Sequence, residues 1–290
     1  MLQRITSLFL VLCGGWNMTV AALDADDARR FLIEQIRHGQ EWRRVHAAET
    51  WLDAGLTVES VIETFREALV AAEPRSPWRV GVLRVLYRAD FAERPRFRAE
   101  LVAIATDPDA PGVVHAVETI GKLRLALLPA EAECFRAYAA EGGPRGDYAL
   151  MALAAQDDAA AAARLVELLA ARNIAAALAF DYIDNWPPNA APALEAAIED
   201  VAAPIMFRVF AFRAWARKTD YPSTVRTRLR DWLTVENDAG ATRFLLLCIG
   251  DSGDASASDL TAARFEDPDP SIRIAAAGSH LRLSALPTRK

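Results

Sequence analysis

The sequence predicts an all-α protein, and two observations lead to this fold class. Alanine-rich runs such as Ala159 to Ala163 and Ala175 to Ala177 favour helix. Blocks of β-branched residues and the Asn-Gly turns of β-hairpins are missing. These features exclude most all-β and α/β architectures, including the sheets that bind nucleotides.

The first 22 residues have the layout of a secretory signal peptide. A positive charge precedes the apolar run Ile5–Leu12, which is too short to span a bilayer, and Val20–Ala22 offers small residues for cleavage. We therefore expect an exported, periplasmic protein whose mature chain, residues 23–290, is a single domain without a membrane span. Whether Cys13 is lipidated stays open, although the residue before it is larger than a lipoprotein signal favours.

Beyond residue 25, helical stretches of 10 to 16 residues alternate with breaks made of Pro, Gly and Asp. Proline is tolerated in a first helical turn because the amide there has no partner within the helix. This spacing predicts antiparallel helix pairs joined by short turns. The breaks occur at Gly55, Pro74–Pro77, Asp107–Asp109, Gly142–Pro144, Trp186–Pro188, Pro204, Pro222, Gly250–Gly253 and Asp267–Pro270.

The second helix of each predicted pair carries a repeated motif. The segment Val45–Trp51 returns as Val114–Ile120, 69 residues later, and Val80–Leu86 occupies the halfway register. A period of about 33 residues gives eight pairs stacked in an elongated solenoid, in which no pair can bury its apolar face alone. Further copies of the second helix are recognisable near Tyr148, Ala176, Val209, Phe244 and Ile274.

Two of the turns and the helices after them resemble HEAT repeats, in particular the short class first described in phycobilisome lyases. The likeness is carried by Asp107–Asp109 followed by Val114–Leu123, and by Asp267–Ala277. It extends over nearly all of the mature chain and implies a right-handed α-solenoid of about eight HEAT-like pairs. It says little about activity, because such repeats serve scaffolds, inhibitors, adaptors and a few lyases.

Charge and glycine patterns exclude several classes of function. The formal charge is −6 and the basic residues are spread along the chain, so we expect no nucleic-acid partner. Gly142–Gly146 lacks a preceding strand and a phosphate-loop lysine, and we interpret it as a turn. Gly250–Gly253 is interpreted as a turn between two helices rather than as a protease nucleophile segment. We expect no cofactor.

A His-x-x-Glu motif occurs twice at the same register of the repeat. His46 with Glu49, and His115 with Glu118, share a helix face in each copy. The intervening repeat has Arg84 at the glutamate register. Each pair is therefore a candidate hydrogen-bonded unit beside a cation.

Stacking of the repeats would bring these registers together. Neighbouring helices pack about 8 to 10 Å apart, so Glu49, Arg84 and Glu118 are expected to form a ladder. Gly81 would leave space between the two imidazoles for a small ligand, and Arg213, in the Glu49 register, would extend the ladder.

The same residues also have a structural interpretation. Ladders of this kind often link adjacent repeats, and a histidine before alanine can cap a helix or fill a core. His46 and His115 lie two repeats apart, about 20 Å by the stacking distance. One metal ion cannot bridge that distance, so we expect no metal site.

These observations predict an exported binding or scaffold protein. Its ligand surface would be the groove lined by the second helices, centred on the first three pairs, and suited to a protein partner or an acidic saccharide. The nominated ligand contacts, besides the two His-x-x-Glu pairs, are Trp42, Arg43, Trp78 and Arg84.

Two other functions stay open. By resemblance to lyases that contain these repeats, His46 or His115 would be the acid/base and Arg84 would hold an anionic group of a uronic acid-containing saccharide or a tetrapyrrole. In that case Glu49 or Glu118 would orient the imidazole. The third alternative is a purely structural spacer, for which both histidines are dispensable.

Overall fold

A computed structural model describes residues 23–285, which form sixteen α-helices and no β-strand. The predicted all-α class is confirmed, while the signal peptide predicted for residues 1–22 lies outside the described range. The helices are α1 (Ala25–His38), α2 (Glu41–Asp53), α3 (Glu59–Ala71), α4 (Pro77–Ala89), α5 (Arg94–Ala105), α6 (Val113–Lys122), α7 (Pro129–Glu141), α8 (Gly143–Ala154), α9 (Ala159–Ala170), α10 (Ile174–Ala179), α11 (Ala190–Glu199), α12 (Ile205–Lys218), α13 (Ser223–Val235), α14 (Ala239–Ser252), α15 (Ser258–Phe265) and α16 (Pro270–Ser284).

Polar caps and prolines determine where several helices begin. The Ser76 hydroxyl accepts a hydrogen bond from the Arg79 amide at 3.1 Å, and Pro77 takes the first helical position. Asp269 caps α16 in the same way, just before Pro270. Such a cap stabilises a helix by about 1 kcal/mol, and proline at the first position loses no hydrogen bond. The breaks at Pro74–Pro77, Gly142–Pro144 and Asp267–Pro270 therefore coincide with helix starts.

Each odd-numbered helix packs on the even-numbered helix that follows it. Because short connections make successive helices antiparallel, the eight even-numbered helices run in the same direction. We name these the inner helices; they are the second helices of the predicted pairs. Each inner helix also packs on the next one, from α2 to α16.

The row of inner helices closes into a ring. The last helix, α16, packs against both α1 and α2. Phe31 of α1 meets Phe265 of α15 edge to face, with ring centroids 5.3 Å apart. At the same seam Gly278 of α16 faces Thr50 of α2 so closely that a Cβ on Gly278 would overlap Thr50 Cγ2. The expected elongated array with an open groove is therefore wrong, because the inner helices enclose the space that they line.

The core combines large rings with small side chains. Ala47, Ala116 and Ala275, at matching positions of three inner helices, are buried, and small residues at such positions allow neighbouring helices to approach closely. Within residues 23–285, no helix has the length and apolar character needed to cross a membrane. Six phenylalanines are almost fully buried: Phe65, Phe97, Phe135, Phe180, Phe207 and Phe212.

Candidate functional site

The interior of the ring holds a cavity of about 360 Å³ near the end where the inner helices finish. We name this cavity the chamber. Its walls come from the last two turns of six inner helices and from the segment after α10, and they carry six cationic side chains and three carboxylates. The lining residues are Glu49, Asp53, Arg84, Arg88, Lys122, Leu123, Tyr182, Arg213, Arg217, Asp251 and Arg282.

Arg84 is a buried cation on the wall formed by α2, α4 and α6. Its Nε donates to Glu49 Oε1 at 2.6 Å, and its Nη1 donates to Thr119 Oγ1 at 3.4 Å. Burial alone would raise the pKa of Glu49, but the charge of Arg84 holds it well below the ordinary value. The expected Glu49–Arg84 contact is therefore present. Glu118 does not complete the ladder, because its Oε1 pairs with Lys122 Nζ at 2.7 Å.

Arg213 has a similar place on the opposite wall, four inner helices further round the ring. Its Nε lies 3.0 Å from Asp181 Oδ2 and its Nη2 lies 3.5 Å from Asp251 Oδ2, as ion pairs without hydrogen-bond alignment. Arg217 Nη1 donates to Asp181 Oδ1 at 2.7 Å, and Arg282 pairs with Asp251. Burial alone would lower the pKa of Arg213, but the two aspartates raise it well above the ordinary value.

The direction of the inner helices explains part of this charge. A helix carries a partial negative charge at its C-terminal end, which stabilises cations in the last turn. Arg88, Lys122 and Arg217 occupy such positions. Arg84 and Arg213 lie at least one turn earlier, where the helix end contributes little, so they depend on their carboxylate partners.

Cations near the rim of the chamber retain hydrogen-bond donors for a ligand. A guanidinium group has five N–H donors. Arg88 uses one of them, on Asp53 Oδ1 at 2.5 Å, and Arg217 also uses one. Neither side chain forms another hydrogen bond within residues 23–285. Their side chains are 29% and 44% exposed, so both can turn toward a molecule that enters the chamber.

Neither predicted histidine lines the chamber. His46 Nδ1 lies 3.4 Å from Glu49 Oε2, and His115 Nδ1 lies 3.7 Å from Glu118 Oε2. His46 and Glu49 are therefore within hydrogen-bond distance, whereas His115 and Glu118 lie side by side on α6 without a hydrogen bond. Burial lowers the pKa of His46 below the ordinary value, despite its hydrogen bond to Glu49.

Trp42 fills the space between the two histidines. Its ring centroid lies 6.3 Å from that of His46 and 5.2 Å from that of His115. Its indole would also touch a Cβ placed on Gly81, at 3.1 Å. The free space expected beside Gly81 is therefore occupied, and the separation of about 20 Å expected from the stacking distance is too large. Register along each helix does not reveal that a tryptophan from one helix crosses a glycine on the next.

The other two nominated contacts lie away from the chamber. Trp78 packs under the guanidinium of Arg44, whose Cζ is 5.9 Å from the ring centroid. Arg43 Nη2 donates to the side chain of Gln40 at 2.5 Å. Of the nominated residues, only Glu49 and Arg84 line the chamber.

Most of the residues that line the chamber were not predicted from the sequence. Asp251 lies in a stretch interpreted as a turn, whereas α14 continues through it and presents its carboxylate from the last turn. A usable signal was present in the spacing of opposite charges. The paired residues Asp53 and Arg88 are 35 positions apart, and Asp181 and Arg217 are 36 apart, close to one repeat.

Among residues 23–285, no three His, Cys, Asp or Glu side chains are grouped so that they could hold a metal ion. Comparison of this chain with known protein families, curated proteins and solved structures gives no match. The likeness to HEAT repeats therefore rests on the motifs of the sequence, and the chemistry of the chamber rests on its own geometry.

Proposed function

We propose that this protein binds an acidic saccharide inside the ring. The observation that carries the proposal is the chamber, where six cationic side chains and three carboxylates surround one cavity of about 360 Å³. Cavities of this order are typical of small-molecule sites. The closed row of inner helices favours a small ligand over a folded protein partner, because the inner helices of the described residues enclose the space that they line.

Both signs of charge in the chamber suit a molecule with acid and hydroxyl groups. Arginine donates two parallel hydrogen bonds to a carboxylate, and Arg88 and Arg217 have donors to spare. Asp53 and Asp251 can accept hydrogen bonds from saccharide hydroxyls. Burial raises the pKa of Tyr182, so its hydroxyl stays protonated and available as a donor.

The repeat type and the location belong to the same proposal. The helix pairs are HEAT-like repeats that follow a right-handed path and close after eight pairs, as the Asp-Pro-Asp turns and the period support. The layout of residues 1–22 supports export to the periplasm, where acidic saccharides of the cell envelope are available to such a receptor.

The geometry gives little support to the lyase alternative. Its acid/base candidates, His46 and His115, lie outside the chamber, and Trp42 takes the space in which a substrate would sit between them. If the protein is a structural spacer without a ligand, the chamber cations contribute only to stability. Binding measurements distinguish this alternative from the proposal.

Isothermal titration with di- and trigalacturonate, each compared with its methyl ester, tests the proposal. The acid forms should bind and the esters should not, because the ester lacks the charge that the arginines recognise. Arg88→Met and Arg217→Met should each weaken binding by about tenfold or more, the value of a charge-assisted hydrogen bond.

Arg164→Met on α9 is the matched control, because Arg164 is 57% exposed and, among residues 23–285, pairs only with Glu167 of the same helix. This variant should bind as the wild type does. Equal affinity for acid and ester, or no binding of either at millimolar concentration, refutes the proposal.

A further inference from the structure

A second cavity, of about 170 Å³, lies beside the chamber where the segment after α10 meets α12. We name it the side cavity. Arg217 lines both spaces, and Asp181, which accepts from Arg217 Nη1 at 2.7 Å, lines the side cavity. Whole small-molecule sites typically have about 300–1,000 Å³. The side cavity is smaller than this, so it suits one unit of a longer ligand that also occupies the chamber.

The wall between the two cavities departs from the repeat. Ten residues, 180–189, connect α10 to α11, whereas the other connections from an even-numbered to an odd-numbered helix have four to six residues within the range 23–285. Tyr182 of this segment lines the chamber. Asp181 and Asp184 line the side cavity. Long connections on a rigid scaffold often carry binding residues, and this one contributes to both cavities.

Lys218, in the last turn of α12, lines the side cavity as a cation without a carboxylate partner among residues 23–285. Its Nζ donates to the backbone carbonyl of Asp184 at 2.7 Å. An ammonium group has three donors, so two remain for a ligand. By contrast, Arg124 in the same cavity pairs with Asp184 Oδ2 at 2.5 Å. The charge of Lys218 is therefore available to an acid group that enters the side cavity.

Trp186 gives the side cavity an apolar wall in a fixed position. Its Nε1 donates to the carbonyl of Phe180 at 3.2 Å, and the two rings meet edge to face with centroids 5.7 Å apart. Lys218 Nζ lies 5.4 Å from the centroid of the Trp186 ring. A cation beside an aromatic ring suits one uronate unit, because the carboxylate can pair with the ammonium while the C–H groups of the sugar contact the indole.

We infer that the side cavity is a subsite for a third uronate unit, whose carboxylate binds Lys218. This inference rests on the proposed function. Arg88 and Arg217 each have donors for one carboxylate, so the chamber suits two uronate units. Because Arg217 lines both cavities, the saccharide can pass along it from the chamber into the side cavity. The protein should therefore prefer a trisaccharide over a disaccharide.

Isothermal titration with di- and trigalacturonate at constant ionic strength measures this preference in the wild type, Lys218→Met, Lys218→Arg and the Arg164→Met control. The wild type and the control should bind the trimer about tenfold or more tightly than the dimer, the value of a charge-assisted hydrogen bond. In Lys218→Met the preference should shrink to about twofold, because a trisaccharide still contains two overlapping disaccharides. Lys218→Arg keeps the charge and should retain most of the preference.

The same preference for the trimer in the wild type and Lys218→Met overturns the inference and leaves the proposed function standing. If neither ligand binds the wild type, the proposed function falls and the subsite falls with it. Lys218 is exposed, so Lys218→Met should melt at the same temperature as the wild type. A large fall in its melting temperature would overturn the inference by assigning Lys218 to stability.

Discussion

The two halves of the ring interior are stabilised in different ways. Where the inner helices begin, rings from different inner helices pack directly: Trp42 of α2 reaches past α4 to His115 of α6 at 5.2 Å, and Phe210 packs on Phe244 of the next inner helix at 4.7 Å. We name this the aromatic half. Where the helices end, ion pairs surround the open chamber. Direct packing leaves no room for a ligand, whereas ion pairs can share their hydrogen bonds with one.

The largest expected effect is a loss of stability when the ion pairs around the chamber lose Arg213. Arg213→Met would leave Asp181, whose side chain is 2% exposed, and Asp251 without their shared cation. Removing one partner from a buried ion pair typically costs about 3–5 kcal/mol, and we expect the low end of this range because Asp181 keeps Arg217 and Asp251 keeps Arg282. Urea unfolding of the variant should show a loss of this order, and Arg213→Lys, which keeps the charge, should lose less. A loss below about 1 kcal/mol would mean that the ion pairs contribute little.

Acid should lower the stability of the half of the ring that contains the chamber. Burial alone would raise the pKa of Glu118, but the charge of Lys122 and the nearby His115 bring it from 4.5 to about 2. A carboxyl with a lower pKa in the folded state stabilises the protein above its unfolded pKa and loses this contribution as pH falls through the folded pKa. Glu118 should therefore contribute up to about 3 kcal/mol, which is lost from pH 4.5 down to 2.

The free energy of unfolding, measured across this pH range for the wild type and Glu118→Gln, tests that expectation. The variant should lose part of the acid dependence, because it has no carboxylate to protonate at this position. Parallel pH profiles for the two proteins would assign the acid dependence to other groups.

The seam between α16 and α2 holds both halves in one ring, and its disruption should have an intermediate effect. Gly278→Ala places a methyl group where Thr50 Cγ2 already lies, and such overpacking costs about 1–3 kcal/mol. Thr50→Ser removes that Cγ2, so Gly278→Ala combined with Thr50→Ser should recover most of the loss relative to Thr50→Ser alone. A double-mutant cycle of unfolding free energies without coupling would contradict the close approach at the seam.

The smallest effect is expected from His115 in the aromatic half. His115 does not line the chamber, and its side chain is 43% exposed. His115→Gln should therefore change the unfolding free energy by less than about 1 kcal/mol. Its affinity for digalacturonate should stay within about twofold of the wild type, equivalent to less than 0.5 kcal/mol. A tenfold loss of affinity in His115→Gln would show that His115 contributes to binding, so that the aromatic half and the chamber would form one site.

Local sequence features predicted the parts of the fold that depend on neighbouring residues. The helix starts follow from caps and prolines such as Ser76 and Pro77, and the His46–Glu49 pair follows from spacing on one helix. Ring closure has no local signature, because α2 and α16, which meet through Gly278 and Thr50, lie near opposite ends of the described chain.

The candidate site was predicted only in part for the same physical reason. Glu49 and Arg84 were found because their registers repeat, whereas Asp181 comes from the irregular segment after α10 and falls outside the repeat pattern. Trp42 and Gly81 stood in the expected registers, but which side chain fills the space of the other depends on packing across helices.

The most direct test of the central claim is a crystal structure of the protein with trigalacturonate at saturating concentration. The account predicts saccharide inside the ring, with a carboxylate within hydrogen-bond distance of Arg88 or Arg217. Saccharide bound only to the outer helices, with the chamber free of it, would contradict the account.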